Sequence, residues 1–203
     1  AAVAFDPGGD IFVVGRTYNG ADFDFYVAKY SGSDGSLAWG GTHRSYDGSG
    51  SGDDYAEAAV VDAAGDLYVT GYSYGSGGSG DIVGIKYEGA TGNIAAGWPQ
   101  VYDGGGYDKG AALSLDAYSN EVVVAGTTFV GVGNHDIHLR RYEVDGTLVW
   151  EKTLDLPGSD DAATAMAIDR TGIVTVTGAS NDGGGEDILV VKVDYTGLTV
   201  GAN

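Results

Sequence analysis

The sequence contains no cysteine and only three prolines among its 203 residues. The lack of cysteine excludes disulfide bonds and every active site that depends on a thiol. No apolar run approaches the ~20 residues that a helix needs to cross a bilayer, so the sequence predicts no membrane insertion. The chain therefore has to derive its stability from packing and hydrogen bonds.

Basic residues are scarce as well. Ten Lys and Arg face 29 Asp and Glu, which gives a formal net charge of −19. Nucleic-acid binding and binding to anionic membranes both need a basic surface, so this balance argues against them. Aspartate supplies 23 of the 29 acids, which favours turns over helices because aspartate caps and turns the chain.

Glycine is abundant, with 37 residues. Many of the glycines recur in a sequence repeat of about fifty residues, of which the chain contains four copies. Each copy has a first apolar run that ends in aspartate and a second that ends in glycine. A third run begins with aspartate and carries a cation. Such self-similarity marks one supersecondary unit copied in tandem. The glycines are Gly15, Gly71, Gly126 and Gly178; the aspartates are Asp6, Asp62, Asp116 and Asp169, then Asp24, Asp81, Asp136 and Asp187.

The runs have strand character, because β-branched and aromatic residues fill them and Gly, Asp, Asn or Ser bound them. In the second copy they cover 58–62, 66–72, 81–87 and 98–102. We also expect a strand at the alanine-rich segment 161–169, because its counterparts in other copies are β-formers. Many runs are apolar on both faces, as strands covered on both sides are.

These patterns predict an all-β propeller of four blades, each made of four antiparallel strands, in a single array over residues 1–203. The expected blades are 1–53, 54–107, 108–160 and 161–203. Three outcomes stay open: a closed four-bladed ring, an arc that a second copy completes, or a part of a longer chain. An open arc would expose two apolar faces, which demand a partner.

Three motifs resemble the SBBP β-propeller repeat of bacteria and archaea. GDIFVVG at 9–15 and GDLYVTGYS at 65–73 are similar to its core, and DIVGIKY at 81–87 is similar to its next strand. DGTLVW at 145–150 looks like its closing turn with tryptophan. The resemblance covers nearly the whole chain and implies a scaffold that is secreted or attached to a cell surface. The fourth copy lacks the tryptophan strand.

Residues that recur in every copy are expected to serve the architecture. The aspartates at both positions of the repeat should accept hydrogen bonds from backbone N–H groups in turns, although a ladder of carboxylates around a channel is the alternative. The cations of the third run should pair with acids at blade edges. The residues assigned to this structural repeat are Asp62, Asp116, Asp169, Gly15, Gly71, Gly126, Gly178, Trp39, Trp98 and Trp150.

The loop before the second copy alternates oxygen-bearing side chains with glycine, as Ca²⁺ loops do. Asp47, Ser49, Ser51 and Asp53 have this alternation, and Asp54 follows. The glutamate that closes an EF-hand loop is missing, so a solvated turn is the simpler interpretation. Calcium held by Asp47, Asp53 and Asp54 is the alternative, and no other cofactor is expected.

Residues that break the repeat carry the information about partners. His135, His138 and Arg140 stand in the third copy, and His43 and Arg44 in the first. In a strand, an odd separation puts the rings of His135 and His138 on opposite faces, which argues against a shared zinc ion. His138 and Arg140 occupy positions that are apolar in other copies. They are expected to meet a polar partner or to line a wetter interface between blades.

The sequence as a whole predicts a non-catalytic extracellular scaffold whose copies associate into a ring or filament. One alternative is a module that binds a glycan or a surface protein through loop aromatics, with or without calcium. The other is a propeller hydrolase or lyase, which would gather His43, His135, His138 and Glu57 at one mouth of the ring. The loop aromatics are Tyr18, Tyr72, Tyr74, Tyr107 and Trp98.

Overall fold

The computed structural model describes residues 1–156, 160–181 and 186–202. They form four antiparallel sheets of four strands each, and every sheet consists of consecutive strands in chain order. Sheet 1 contains β1 (Ala2–Phe5), β2 (Ile11–Tyr18), β3 (Phe23–Tyr30) and β4 (Arg44–Tyr46), with the short turn α1 (Ala38–Gly41) before β4. Sheet 2 contains β5 (Tyr55–Val61), β6 (Leu67–Tyr74), β7 (Gly80–Tyr87) and β8 (Gln100–Tyr102).

The second half of the chain repeats this plan. Sheet 3 contains β9 (Lys109–Asp116), β10 (Glu121–Gly131), β11 (Asn134–Tyr142) and β12 (Leu148–Leu154). Sheet 4 contains β13 (Asp160–Ile168), β14 (Val174–Asn181), β15 (Glu186–Val193) and β16 (Thr199–Ala202). The all-β prediction is confirmed, and the alanine-rich segment is strand β13, as expected. No helix in the described part of the chain is long and apolar enough to cross a membrane.

The sheets stack face against face, and their first strands β1, β5, β9 and β13 adjoin in succession. We call the face that a sheet turns to the next sheet its forward face, and the opposite face its rear face. Between sheets 1 and 2, the forward residues Phe12, Val14 and Phe25 pack against rear residues such as Leu67 and Val69. Equivalent cores fill the junctions between sheets 2 and 3 and between sheets 3 and 4.

The recurring glycine serves a β-bulge. The register between the first two strands shifts at Ala56/Ala58 in sheet 2 and at Ala163/Ala165 in sheet 4. At the bulge the first strand presses on the glycine, so that a Cβ at Gly71 would collide with the carbonyl oxygen of Tyr55. Sheet 1 pairs without a bulge, and a Cβ at Gly15 would meet only Ala1, at an ordinary 3.5 Å from its Cβ.

Each of the three tryptophans forms the same kind of hydrogen bond between neighbouring sheets. Each indole Nε1 donates to a backbone carbonyl of the following sheet: Trp39 to Gly89 at 3.1 Å, Trp98 to Val144 at 3.2 Å and Trp150 to Tyr195 at 2.8 Å. Only Trp150 lies in a strand, whereas Trp39 has a left-handed backbone with φ 51°. The position of the ring relative to the next sheet is therefore repeated, although the local backbone is not.

The aspartates that end the first run behave as predicted. Asp62 Oδ1 accepts from the N–H groups of Ala64 and Asp66, both at 2.9 Å, and equivalent turn bonds form at the other copies. Three of the third-run cations pair with these acids: Lys29 Nζ lies 2.9 Å from Asp6 Oδ2, Lys86 Nζ 4.0 Å from Asp62 Oδ2 and Arg141 Nη2 2.6 Å from Asp116 Oδ2. These ion pairs are nearly buried and fasten the third strand to the turn of its own sheet.

The described residues form an open arc and no closed ring. Sheet 1 packs on sheet 2, sheet 2 on sheet 3 and sheet 3 on sheet 4, but no comparable packing joins sheet 4 to sheet 1 in the parts of the chain that the structure describes. The rear face of sheet 1 and the forward face of sheet 4 are consequently uncovered.

Candidate functional site

The rear face of sheet 1 is apolar, and no other sheet packs on it in the described part of the chain. Ile11 and Val13 lie half-buried on it, and Val3 and Phe5 of β1 are 59% and 66% exposed, whereas Ala28 on the same face is buried. The equivalents of Ile11 and Val13 in sheet 2 are Leu67 and Val69, which sheet 1 buries to 0% and 1% exposure. Thus the same positions are core in one sheet and surface in the other.

The forward face of sheet 4 is uncovered in the same way. Ile188 is 86% exposed there, whereas its equivalents Ile82 and Ile137 are buried against the following sheets. Thr175 and Thr177 stand beside it at the positions of Phe12 and Val14, so this face is smaller and more polar than the forward face of sheet 1. It is nevertheless the surface that, in every preceding sheet, contacts a rear face.

The junction between sheets 2 and 3 shows how a forward face fits a rear face. Ile82 Cδ1 lies over Gly126, 2.6 Å from where a Cβ of that glycine would be, so a larger residue at Gly126 would displace it. A Cβ at Gly84 would be in ordinary contact with Val124 Cγ2 at 3.6 Å. At the free ends, the residues equivalent to these two pairs are Ile188 with Gly15 and Val190 with Val13.

The two non-repeated residues of sheet 1 lie at different places. His43 stacks on Tyr26 with ring centroids 4.9 Å apart, and Tyr26 belongs to the free rear face. Arg44 instead packs over the Trp39 ring and donates to the Thr91 carbonyl at 2.7 Å, which places it in the junction with sheet 2. Arg44 therefore lies at an interface between two sheets of this chain, and its role at a partner surface stays a prediction.

His138 and Arg140 are also inside a junction. His138 is buried, stacks on Tyr102 of sheet 2 at 3.8 Å between centroids, and its Nδ1 lies 2.9 Å from Thr153 Oγ1. Arg140 lies over the same Tyr102 ring, and its Nε is 3.2 Å from Glu151 Oε2. Both side chains therefore lie at the interface between sheets 2 and 3, which is one of the two predicted places, and a contact with a polar partner stays a prediction.

Burial lowers the pKa of His138 to about 4, with Arg140 as a second cause, so the ring is neutral at physiological pH. His135 Nδ1 lies 2.7 Å from Asp160 Oδ1 at the junction between sheets 3 and 4. Glu57 pairs with Lys109 at 2.7 Å between their charged atoms. The residues that would mark a single catalytic mouth thus lie at separate places in the arc.

Four of the loop aromatics stand in one row. From Tyr18 the row runs through Phe23 and Tyr55 to Tyr72, with neighbouring centroids 5.4, 6.1 and 4.9 Å apart. Tyr72 then contacts both Tyr107, at 5.4 Å, and Tyr74. Tyr18 and Tyr107 are exposed. Trp98, the fifth expected aromatic, is instead buried between sheets 2 and 3.

Two cations lie on this aromatic row. Arg16 lies over the Tyr55 ring at 4.2 Å from its centroid, and Lys109 is 5.9 Å from the centroid of Tyr72. Together with Glu57 they line an open cavity of about 470 Å³. Aromatic faces beside hydrogen-bonding side chains can stack and orient a small polar ligand.

Carboxylates gather where one sheet meets the next. Asp24 and Asp47 of sheet 1 approach Asp54, which precedes β5, and one oxygen of each lies within 4.8 Å of the others. Asp53, by contrast, turns away and accepts from the Phe23 N–H and the Tyr55 hydroxyl, both at 3.1 Å. The cluster therefore contains Asp47 and Asp54 of the predicted calcium set and adds Asp24 in place of Asp53, because neither spacing nor alternation reveals a residue contributed by another strand. Calcium binding by the predicted set stays a prediction.

An equivalent cluster lies between sheets 2 and 3, formed by Asp81, Asp103 and Asp108. Burial raises the pKa of Asp81 to about 6, and the carboxylates of Asp103 and Asp108 act in the same direction. Burial likewise raises the pKa of Asp54 and of Asp136. The expectation that third-run aspartates accept backbone bonds is wrong for Asp81 and Asp136. Each faces one acid of its own sheet and one of the next sheet, and no hydrogen bond to either carboxylate forms among the described residues.

No protein-family model matches the chain, and no curated protein sequence matches it. Solved structures do. A subtype N11 neuraminidase-like protein of A/flat-faced bat/Peru (H18N11) has a TM-score of 0.55 at 16% identity, over 98% of this chain and 50% of that one. A gluconolactonase from Xanthomonas campestris has a TM-score of 0.47 at 15% identity, over 98% of this chain and 60% of that one.

The likeness to the neuraminidase-like protein shows a propeller-like fold. At 16% identity it carries nothing about chemistry. This chain spans half the length of that structure, so the likeness concerns an arc of sheets and not the whole of the larger molecule.

Proposed function

We propose that the protein is a non-catalytic extracellular scaffold whose copies associate head to tail, with the forward face of sheet 4 on the rear face of sheet 1 of the next copy. The observation that carries the proposal is the pair of uncovered faces, which correspond in position to the forward and rear faces of the three internal junctions, with the forward face of sheet 4 the more polar. The resemblance to the SBBP repeat supports the extracellular scaffold role.

Burial of apolar surface supplies the driving force. Val3, Phe5 and Ile188 are each more than half exposed, and burial of such side chains stabilises by roughly 1.5–3 kcal/mol each. Because the two contacting faces differ, the association is heterologous, and copies will form a closed ring or a filament. The equivalence of Ile188 with Ile82, which lies over Gly126, indicates how the faces would fit.

The test uses two variants, each of which carries a charge on one of the two uncovered faces. Phe5→Asp puts a charge on the rear face of sheet 1, and Ile188→Asp puts one on the forward face of sheet 4. Molar mass from light scattering should show assemblies for the wild-type protein and monomers for each variant alone. An equimolar mixture of the two variants should form dimers, because each retains the face that the other lacks.

Tyr118→Asp is the control, since Tyr118 is exposed in a turn away from both faces. It should assemble as the wild-type protein does. A wild-type protein that stays monomeric over a wide concentration range would contradict the proposal. Assembly of either blocked variant alone would contradict the head-to-tail arrangement.

The aromatic row favours a second candidate, a module that binds glycan. Tyr72 lines the cavity with Arg16 and Lys109, and Tyr107 contacts the Tyr72 ring from beside the cavity. The two rings would offer faces to a sugar, while Arg16 and Lys109 would donate hydrogen bonds to its hydroxyls. A neutral glycan is expected, because the net charge of −19 repels polyanions.

Affinity electrophoresis in gels that contain dextran, xylan, mixed-linkage glucan or pectin tests this candidate. A neutral polysaccharide should slow the wild-type protein, and Tyr107→Ala should remove most of the retardation while Tyr118→Ala leaves it unchanged. Equal mobility of the wild-type protein in all gels, or retardation by pectin alone, would contradict it.

A further inference from the structure

The carboxylate cluster between sheets 2 and 3 is built from three separate segments. Asp81 is the second residue of β7, Asp103 directly follows β8 and Asp108 directly precedes β9. One oxygen of each lies within 4.8 Å of the other two. Sheet 2 thus supplies two of the carboxylates and sheet 3 the third, so anything that binds all three connects the sheets.

Asp108 and Asp81 differ in the hydrogen bonds that their carboxylates accept. Asp108 accepts from the N–H groups of Gly104 at 2.6 Å and Phe129 at 2.8 Å, and from the Thr128 hydroxyl at 2.7 Å. Asp81 is only 6% exposed, yet its Oδ1 is buried without any hydrogen-bond partner. A buried carboxylate without a partner is costly, and two further carboxylates beside it increase the cost.

The cluster between sheets 1 and 2 is a natural comparison, because it occupies the same place in the repeat. There the amide Nδ2 of Asn19 donates to Asp24 Oδ1 at 2.9 Å, so the residue equivalent to Asp81 has a partner. Asn19 follows the last residue of β2, and the residue that follows β6 is Gly75, which has no side chain to donate. The second cluster therefore lacks the donor that the first one has.

A cation is the partner that suits three converging carboxylates. Ca²⁺ takes oxygen ligands at about 2.3–2.6 Å, so two ligands of one ion lie up to roughly 5 Å apart. The oxygen separations in the cluster fall within that limit. Because Ca²⁺ accepts six to eight ligands in flexible geometry, water and backbone carbonyls can complete the coordination.

We propose that Asp81, Asp103 and Asp108 bind Ca²⁺ and that the bound ion ties sheet 2 to sheet 3. The proposal does not depend on association of copies, since all three ligands belong to one chain. The cluster formed by Asp24, Asp47 and Asp54 is not assigned an ion, because Asn19 already satisfies Asp24.

The experiment is calorimetric titration of the chelator-treated 203-residue protein with CaCl₂ alone, together with thermal unfolding with and without Ca²⁺. The wild-type protein should bind Ca²⁺ and unfold at a higher temperature when Ca²⁺ is present. Asp81→Asn should reduce the number of bound ions by one and remove the corresponding rise in Tm. The matched Asp24→Asn should keep the wild-type stoichiometry and at least half of the rise.

Folding of the variant does not confound this result. The amide of Asp81→Asn has the shape of the carboxyl group and relieves the repulsion, so the Ca²⁺-free variant should unfold at or above the temperature of the Ca²⁺-free wild-type protein. The proposal is overturned if the wild-type protein shows neither heat of binding nor a rise in Tm, if Asp81→Asn binds Ca²⁺ as the wild-type protein does, or if both variants lose binding equally.

Discussion

The rear faces of sheets 1 and 2 carry the same kind of residues in different surroundings. In sheet 2, Leu67 and Val69 are buried because they pack against Phe12 and Val14 of the preceding sheet. In sheet 1, Ile11 and Val13 are only half-buried, and Phe5 beside them is largely exposed. The comparison teaches that this apolar face of the repeat is buried where another sheet packs on it, which is why we propose that a second copy covers it in sheet 1.

The largest expected effect comes from truncating the equivalent leucine and isoleucine side chains of the two rear faces. Leu67→Ala leaves a cavity in a closed junction and should lower the free energy of unfolding by about 2–5 kcal/mol. Ile11→Ala at the equivalent free position should cost about 1 kcal/mol or less, because no sheet covers it. Urea denaturation of both variants, at concentrations where copies do not associate, measures the difference. Equal losses would mean that sheet 1 is covered as sheet 2 is.

The recurring glycines allow a second matched pair. In Gly71→Ala the new methyl group collides with the Tyr55 carbonyl at the bulge, so unfolding should become easier by roughly 1–3 kcal/mol. Gly15→Ala should stay within about 0.5 kcal/mol of the wild-type value, because only Ala1 is near and at an ordinary distance. Thermal unfolding of the two variants checks this, and a smaller effect at Gly71 than at Gly15 would refute the role of the bulge.

His138 makes the junction between sheets 2 and 3 sensitive to acid. Its pKa is about 4 in the folded protein and near 6.5 when unfolded, so the unfolded chain takes up the proton first as pH falls. The stability that the neutral ring contributes is full above about pH 6.5 and declines towards pH 4, by an amount on the order of 3 kcal/mol. The groups around the ring are Tyr102, Arg140, Glu151 and Thr153.

His138→Leu should remove this component, and leucine is the residue that sheet 4 has at the equivalent position, Leu189. The measurement is the difference in unfolding free energy between the variant and the wild-type protein at pH 7 and at pH 4.5, which cancels the titration of the carboxylates. A difference that does not change with pH would contradict the lowered pKa.

The smallest effect concerns the hydrogen bond that each tryptophan indole donates to the following sheet. Trp150→Phe keeps most of the ring but loses the donor to the Tyr195 carbonyl, and should cost about 1 kcal/mol. Trp39→Phe, which loses the equivalent bond to Gly89, should cost a similar amount. Denaturation curves of the two variants test whether the bond has the same value at both ends of the arc.

The fold could be predicted from the sequence because of the repeat, since a strand pattern found in one copy recurs in the three others. The role of Asp62 followed from its place in a turn, which is local. The cluster around Asp81 did not follow, since its members come from three segments and from two sheets. His138 was recognised as unusual, but only the packing of Tyr102 against it shows that the residue is internal.

Association through the free faces is the central claim, and a cysteine-free chain allows a direct test. Val13→Cys marks the rear face of sheet 1 and Val190→Cys marks the forward face of sheet 4, at positions equivalent to the contacting pair Val124 and Gly84. On mild oxidation, the mixture of the two single variants should yield a disulfide-linked dimer in high yield. Val190→Cys mixed with Tyr118→Cys should yield little. Equal yields from both mixtures, or no dimer from the first, would contradict head-to-tail association.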